Sequence, residues 1–167
     1  WNAARGYCFD VLDGPEGNDW KLRPNQLLAV SLPESPLSRE QQAGVVDACA
    51  RHLLTSYGLR SLAADDPAYR GHYGGDQTAR DAAYHQGTVW PWLLGPFVDA
   101  WLKVNPGKDA ESAQFLTSFV PHLGPAGRSS VRAASAPRPA STPHGCVPQA
   151  WARHARRHEP EEPRITR

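Results

Sequence analysis

The stretch Thr88-Val89-Trp90-Pro91-Trp92-Leu93-Leu94-Gly95-Pro96-Phe97-Val98-Asp99-Ala100-Trp101-Leu102-Lys103-Val104 is apolar almost all round. A surface helix keeps one polar face, whereas a segment with apolar residues on most sides must be covered on most sides. The pattern predicts a buried helix over 88–104, with Pro91 in its first turn and a kink or break at Pro96, where a missing N–H interrupts the helical ladder. Trp92 and Trp101 fall inside this helix and read as core facing apolar neighbours. A short chain offers few partners for such an element, so a larger helical assembly is expected to cover it.

Upstream, Ser38 followed by Gln41 forms a capping-box pattern, and Val45, Val46, Cys49, Leu53 and Leu54 recur at helical spacing. A second helix is therefore expected from about Arg39 to Leu54. Leu27, Leu28, Val30 and Leu32 suggest a buried helix from Arg23 that stops before Pro33. Tyr7 to Val11 reads as a short strand, and Asp13 to Gly17 as a turn by its chemistry. Tyr57 to Ala83 reads as a long connection dense in Asp, Gly and Tyr, and long loops inside compact domains tend to carry ligand contacts. Downstream, helices are expected from about Asp109 to Phe119 and from Val147 to Arg156. The fold class that follows is all-α, with a short β/loop segment and no strand ladder.

The chain has 167 residues, of which 40% are hydrophobic and 21% charged, and its mean hydropathy is -0.55. These values suit one folded domain and exclude both a membrane protein and a wholly disordered chain. Cys8, Cys49 and Cys146 are odd in number and widely spaced, forming neither a disulfide framework nor a zinc cluster, which points to a reducing, cytoplasmic setting with no metal or other cofactor. The chain opens on Trp1 without a signal layout and holds no Met, so it reads as a piece of something longer. Charge divides it unevenly: residues 1–127 carry a net of -4 and residues 128–167 a net of +5. Ala, Arg, Pro and Ser dominate the start of the basic part, so 124–144 is expected to be irregular and 145–167 to be a short helix with a loose tail. That tail lacks interleaved aromatics and reads as solvated rather than as a nucleic-acid module.

Four strings are too specific to be composition: Arg23-Pro24-Asn25-Gln26; Leu53-Leu54-Thr55-Ser56-Tyr57-Gly58-Leu59-Arg60-Ser61-Leu62; Asp65-Asp66-Pro67-Ala68-Tyr69-Arg70-Gly71; and Asp81-Ala82-Ala83-Tyr84-His85-Gln86-Gly87-Thr88-Val89-Trp90-Pro91-Trp92. In this order and spacing the sequence resembles the C-terminal amylo-α-1,6-glucosidase domain of glycogen debranching enzymes. The resemblance covers about residues 1–120 and returns at Gly145-Cys146-Val147 and Gln149-Ala150-Trp151. It implies a six-hairpin (α/α)6 toroid, of which residues 1–123 form part, with its active site at one end. It also implies hydrolysis of the α-1,6-linked glucose at a branch point. Glycogen or an α-glucan oligosaccharide would be the substrate and the rest of the parent enzyme the partner, with no nucleic acid and no membrane involved.

Sugar sites pair aromatic faces, which cover the apolar side of a pyranose, with fixed polar groups for its hydroxyls. The candidate substrate-binding residues are Arg23, Asn25, Gln26, Arg60, His85, Gln86 and Trp90, expected to gather on one surface. For Arg23, Asn25 and Arg60 a cap or structural ion pair is an equal reading, and for Trp90 a place in the core. No residue is assigned a catalytic role. The resemblance puts the general acid, an Asp, upstream of this chain, and its counterpart Glu in a Ser-Glu-Ile-Phe-Asp-Gly string that here falls on about Arg132 to Pro137, which read Arg-Ala-Ala-Ser-Ala-Pro. No carboxylate lies between Glu111 and Glu159. A reading frame that shifts and later recovers would produce this departure. The expected function is thus that of an enzyme piece inactive alone, the alternative being a non-catalytic α-glucan-binding remnant.

Overall fold

The computed structural model describes residues 1–117. The N-terminal segment closes on itself through a bridge between Asn2 and Tyr7. A hairpin follows, pairing β1 (Val11–Gly14) with β2 (Gly17–Asp19). The strand expected over Tyr7 to Val11 is thus displaced: Tyr7 is buried and donates its hydroxyl to the Trp20 carbonyl at 3.0 Å, and pairing begins only at Val11. The turn expected over Asp13 to Gly17 is the tip of this hairpin, where Asp13 takes φ 52°.

Pro24–Leu27 forms a 3-10 turn that runs into α1 (Leu28–Ser31), so the helix expected from Arg23 is split into two tight pieces. Pro24 opens the turn, where its fixed φ suits entry and its missing N–H is not needed. Helix α2 (Arg39–His52) begins on the Ser38–Gln41 capping box, with the Gln41 N–H donating to Ser38 Oγ at 3.2 Å and the Ser38 N–H to Gln41 Oε1 at 2.9 Å. It buries Val45, Val46, Ala48 and Cys49, the stripe that the periodicity predicts. Burial pushes the Cys49 thiol far above its ordinary pKa, and the Cys8 thiol is raised for the same reason.

Beyond α2 lies a three-stranded antiparallel sheet, ordered β3 (Leu54–Thr55), β4 (Gly58–Arg60), β5 (Val89–Trp90). This sheet and the hairpin correct the all-α expectation: helices supply most of the core, and two small sheets frame it. The connection from Tyr57 to Ala83 is likewise more ordered than expected, since it contains β4 and α3 (Gln77–Tyr84), the latter capped by Asp76 accepting from the Ala79 N–H at 2.8 Å. Its apolar signal is faint because Ala83 is its one buried residue.

The stretch 88–104 divides into β5, a 3-10 turn (Pro91–Leu93) and α4 (Leu94–Val104). Pro96 neither kinks nor breaks the helix. It occupies the first turn, where no intrahelical acceptor awaits its nitrogen, and the break falls before Leu94. Helix α4 packs on α1 and α2, burying Leu94, Phe97, Val98 and Ala100. Lys103 at its end sends Nζ to the carbonyls of Val30, Leu32 and Pro33 at 3.0, 2.8 and 3.2 Å.

Trp101 meets Phe115 edge-on at 5.3 Å, in apolar company as expected. Trp92 does not: it sits in the 3-10 turn with 38% of its surface exposed. Helix α5 (Asp109–Ala113) is shorter than the expected 109–119, continuing as a 3-10 turn over 114–117. The segments 124–144 and 145–167 lie outside the described residues. Among those described, no helix is long and apolar enough to cross a membrane.

Candidate functional site

Helix α3 ends at Tyr84, His85 caps it, and Gln86 and Gly87 turn the chain into β5. This turn is held from inside. Ser61, which is buried, accepts the Gly87 N–H on Oγ at 2.9 Å, and its own N–H donates to the Thr88 carbonyl at 3.0 Å. Thr88 Oγ1 donates to the Ala83 carbonyl at 3.0 Å. Gly87 has φ 133°, and a Cβ there would stand 2.4 Å from the Tyr69 ring. Only glycine lets Tyr69 close on the turn.

The turn presents a run of rings. His85 meets Trp90 edge-on at 5.2 Å, and Tyr84 lies 4.9 Å from His85 and 5.7 Å from Trp90. Trp90 and Trp92 are stacked, with centroids 6.0 Å apart and planes 21° from parallel. Tyr73 extends the series at 6.2 Å from Tyr84. Tyr84 and Trp92 are 44% and 38% exposed, so the wall has open faces. The indole N–H of Trp90 is buried and has no hydrogen-bond partner among the described residues.

Arg23 reaches this turn from the start of the first 3-10 turn. Its Nη1 donates to the Ser61 carbonyl at 3.1 Å and to the His85 carbonyl, and its Nη2 to Gln86 Oε1 at 3.2 Å. Its Nε pairs with Asp10 Oδ2 at 3.0 Å. Burial nevertheless pushes the Asp10 carboxyl above its ordinary range, the Arg23 guanidinium offsetting this only in part.

Of the seven predicted site residues, the structure joins Arg23, His85, Gln86 and Trp90 through these bonds and ring contacts. Gln26 lies beside them as a brace: its Nε2 donates to the Arg23 carbonyl at 3.0 Å and its Oε1 accepts the Cys8 N–H at 3.0 Å. Asn25 is exposed on the 3-10 turn, and among the described residues no hydrogen bond ties its side chain to the cluster. Arg60 sits on β4 opposite Val89, while Trp90 sits opposite Leu59, so pleat alternation sends the two side chains to opposite faces of the small sheet. The Arg60 Nε is buried and has no hydrogen-bond partner among the described residues. Among the described residues no group of three or more His, Cys, Asp or Glu could hold a metal ion.

Tyr73 and Tyr84 belong to the loop region where ligand contacts are expected, whereas Trp92, read as core, is the ring of this wall that the sequence reading did not place at the site. Trp90 is extended at the end of β5 while Trp92 lies in the 3-10 turn that follows, so no simple periodicity announces their stacking. A separate cavity of about 620 Å³ lies along the β1–β2 hairpin, lined by Val11, Trp20, Lys21 and Asp66 among others, and none of the predicted site residues lines it.

The glycogen debranching enzyme of Saccharomyces cerevisiae is 30% identical over 104 residues, which is 58% of this chain but 7% of that protein. The chain thus spans a small fraction of that relative's length. Residues 1–155 match the family described as amylo-alpha-1,6-glucosidase, and the chain belongs to that family.

Proposed function

We propose that this chain is the C-terminal part of a glycogen debranching enzyme, in which the aromatic wall receives α-linked glucose units during hydrolysis of α-1,6-glucosidic branch linkages. The observation that carries the reading is the wall itself. Its rings, partly open to solvent, suit the apolar face of a pyranose, and the amide of Gln86 offers a polar partner to hydroxyls.

Helices α1, α2 and α4 with the loops at their ends would form part of an (α/α)6 toroid, completed by the preceding residues of the parent. The small share of the yeast relative that this chain spans supports that placement. A cytoplasmic location accompanies it, consistent with free thiols at Cys8 and Cys49.

Glycoside hydrolysis uses two carboxyl groups, one to protonate the leaving oxygen and one to activate water or attack the sugar. Asp10, the carboxylate bonded to this cluster, is engaged by Arg23, and no carboxylate lies between Glu111 and Glu159. The isolated chain is therefore proposed to be inactive. The want of a carboxylate where the resemblance places the catalytic Glu favours a second reading, a non-catalytic α-glucan binder.

Assaying the chain on a branched dextrin, with maltoheptaose titrated against tryptophan fluorescence, separates these readings. No glucose should appear above a heat-treated control, and quenching should report a Kd of about 1 mM or weaker, as suits a half-open site. Glucose release would overturn the inactivity. Fluorescence unchanged at tens of millimolar maltoheptaose would overturn glucan binding by the wall.

A further inference from the structure

We propose that Arg23 is a positioning residue: braced by Asp10, it holds the turn that carries His85 and Gln86 against the Trp90–Trp92 stack, and acts on a bound sugar through that turn. This rests on the reading of the wall as a glucan site. A guanidinium carries five N–H donors. Here Nε is given to Asp10, both Nη1 hydrogens to the carbonyls of Ser61 and His85, and one Nη2 hydrogen to Gln86 Oε1. One N–H remains, too little for the paired hydrogen bonds by which arginine grips a ligand.

The four partners come from distant parts of the chain, Asp10 before β1, Ser61 after β4, and His85 and Gln86 after α3. With side-chain exposures of 15% and 20%, Arg23 and Asp10 form a half-sheltered pair whose geometry is fixed by packing. The His85 carbonyl is thereby pinned while its ring stands edge-on to Trp90 at 5.2 Å. Gln86 has its Oε1 committed to Arg23, so its amide N–H₂ is the end left to meet a hydroxyl. Arginine sets which way that amide faces. A lysine at this place would keep the charge but not the fork.

The experiment uses the whole chain with Arg23→Lys, Asp10→Asn, Gln86→Ala and the Arg23→Lys/Gln86→Ala double variant. Two readouts are taken: maltoheptaose affinity, and the far-ultraviolet exciton couplet of the stacked indoles, assigned by its loss in Trp92→Phe. Arg23→Lys should weaken affinity about tenfold and diminish the couplet, and the losses of Arg23→Lys and Gln86→Ala should be clearly less than additive in the double variant. Fully additive losses would mean that Arg23 acts independently of Gln86 and would overturn the proposal. An unchanged couplet in Arg23→Lys overturns it as well. Should Arg23→Lys fail to fold, Asp10→Asn takes its place, and that variant leaving couplet and affinity intact overturns the brace. If the unaltered chain shows no affinity for maltoheptaose, the glucan reading fails, while a couplet diminished in Arg23→Lys still supports the positioning role.

Discussion

Gly87 concentrates the demands of the site in one residue. Its φ of 133° is hostile to a side chain, and an added Cβ would meet the Tyr69 ring at 2.4 Å and the Arg70 carbonyl oxygen at 2.9 Å. Gly87→Ala is expected to cost about 2–4 kcal/mol in urea unfolding, strain and overpacking acting together; a loss within a few tenths would show that the turn adapts. Asp19 offers a test close to the Arg23–Asp10 pair, its carbonyl accepting the Asp10 N–H at 2.8 Å. Burial alone would raise its carboxyl pKa, but the Lys21 amide N–H at 2.9 Å and ammonium at 3.0 Å outweigh burial and hold it below the ordinary range. A depressed folded-state pKa contributes stability above the unfolded-state value and loses it as pH falls through the folded one. Asp19→Asn should therefore destabilise the chain at neutral pH, and the gap from the parent should close in acid below the ordinary carboxylate range. A gap that widens in acid would overturn that assignment. At this scale the sequence is partly legible. His85, Gln86 and Trp90 stand in one short string, so proximity reveals them. That Arg23 bonds to protein groups depends on a chain crossing that brings Asp10 and Ser61 to it, which no spacing encodes.

Among the elements, α2 is the most readable because cap and apolar stripe agree on the same boundary, Ser38 outside and Val45 to Cys49 inside. Helix α3 is hard to read for the converse reason: its small residues leave no stripe, and only Asp76 at its start gives a signal. The segment 88–104 misleads in a third way, since an apolar run does not distinguish strand, 3-10 turn and helix, and prolines at 91 and 96 act as openers of two successive elements. The β3–β4–β5 sheet is built from pieces of two or three residues, too short for alternation to register. One interaction joins elements far apart in sequence: Lys103 of α4 caps the last carbonyls of α1. A cation at a helix C-terminus offsets unpaired carbonyls and the dipole. Lys103→Met, which keeps the stem but loses the charge, is expected to cost about 1 kcal/mol, with hydrogen exchange rising first at Leu32. Unchanged exchange there would show that α1 is held by packing alone.

At the largest scale, the described residues are organised around an apolar cluster in which Leu27 and Val30, Val45 and Cys49, and Phe97 and Val98 meet from three directions, with the wall of rings at its margin. Phe97 is fully buried and meets Phe115 edge-on at 5.2 Å, which ties the end of the described chain to the centre. The Cys49 thiol lies in this cluster with no exposed surface, while Cys8 is half-buried at its edge. Thiolate is the species that reacts, and it forms only when burial is relieved. Alkylation of Cys49, followed on the peptide spanning 40–51, should lag that of Cys8 by about a thousandfold or more if only global opening exposes it. Reaction within a factor of about ten of Cys8 would instead mean that α2 lifts from α4 on its own. The sulfur that gives the core part of its filling thus doubles as an internal clock, counting how often the three helices let go of one another.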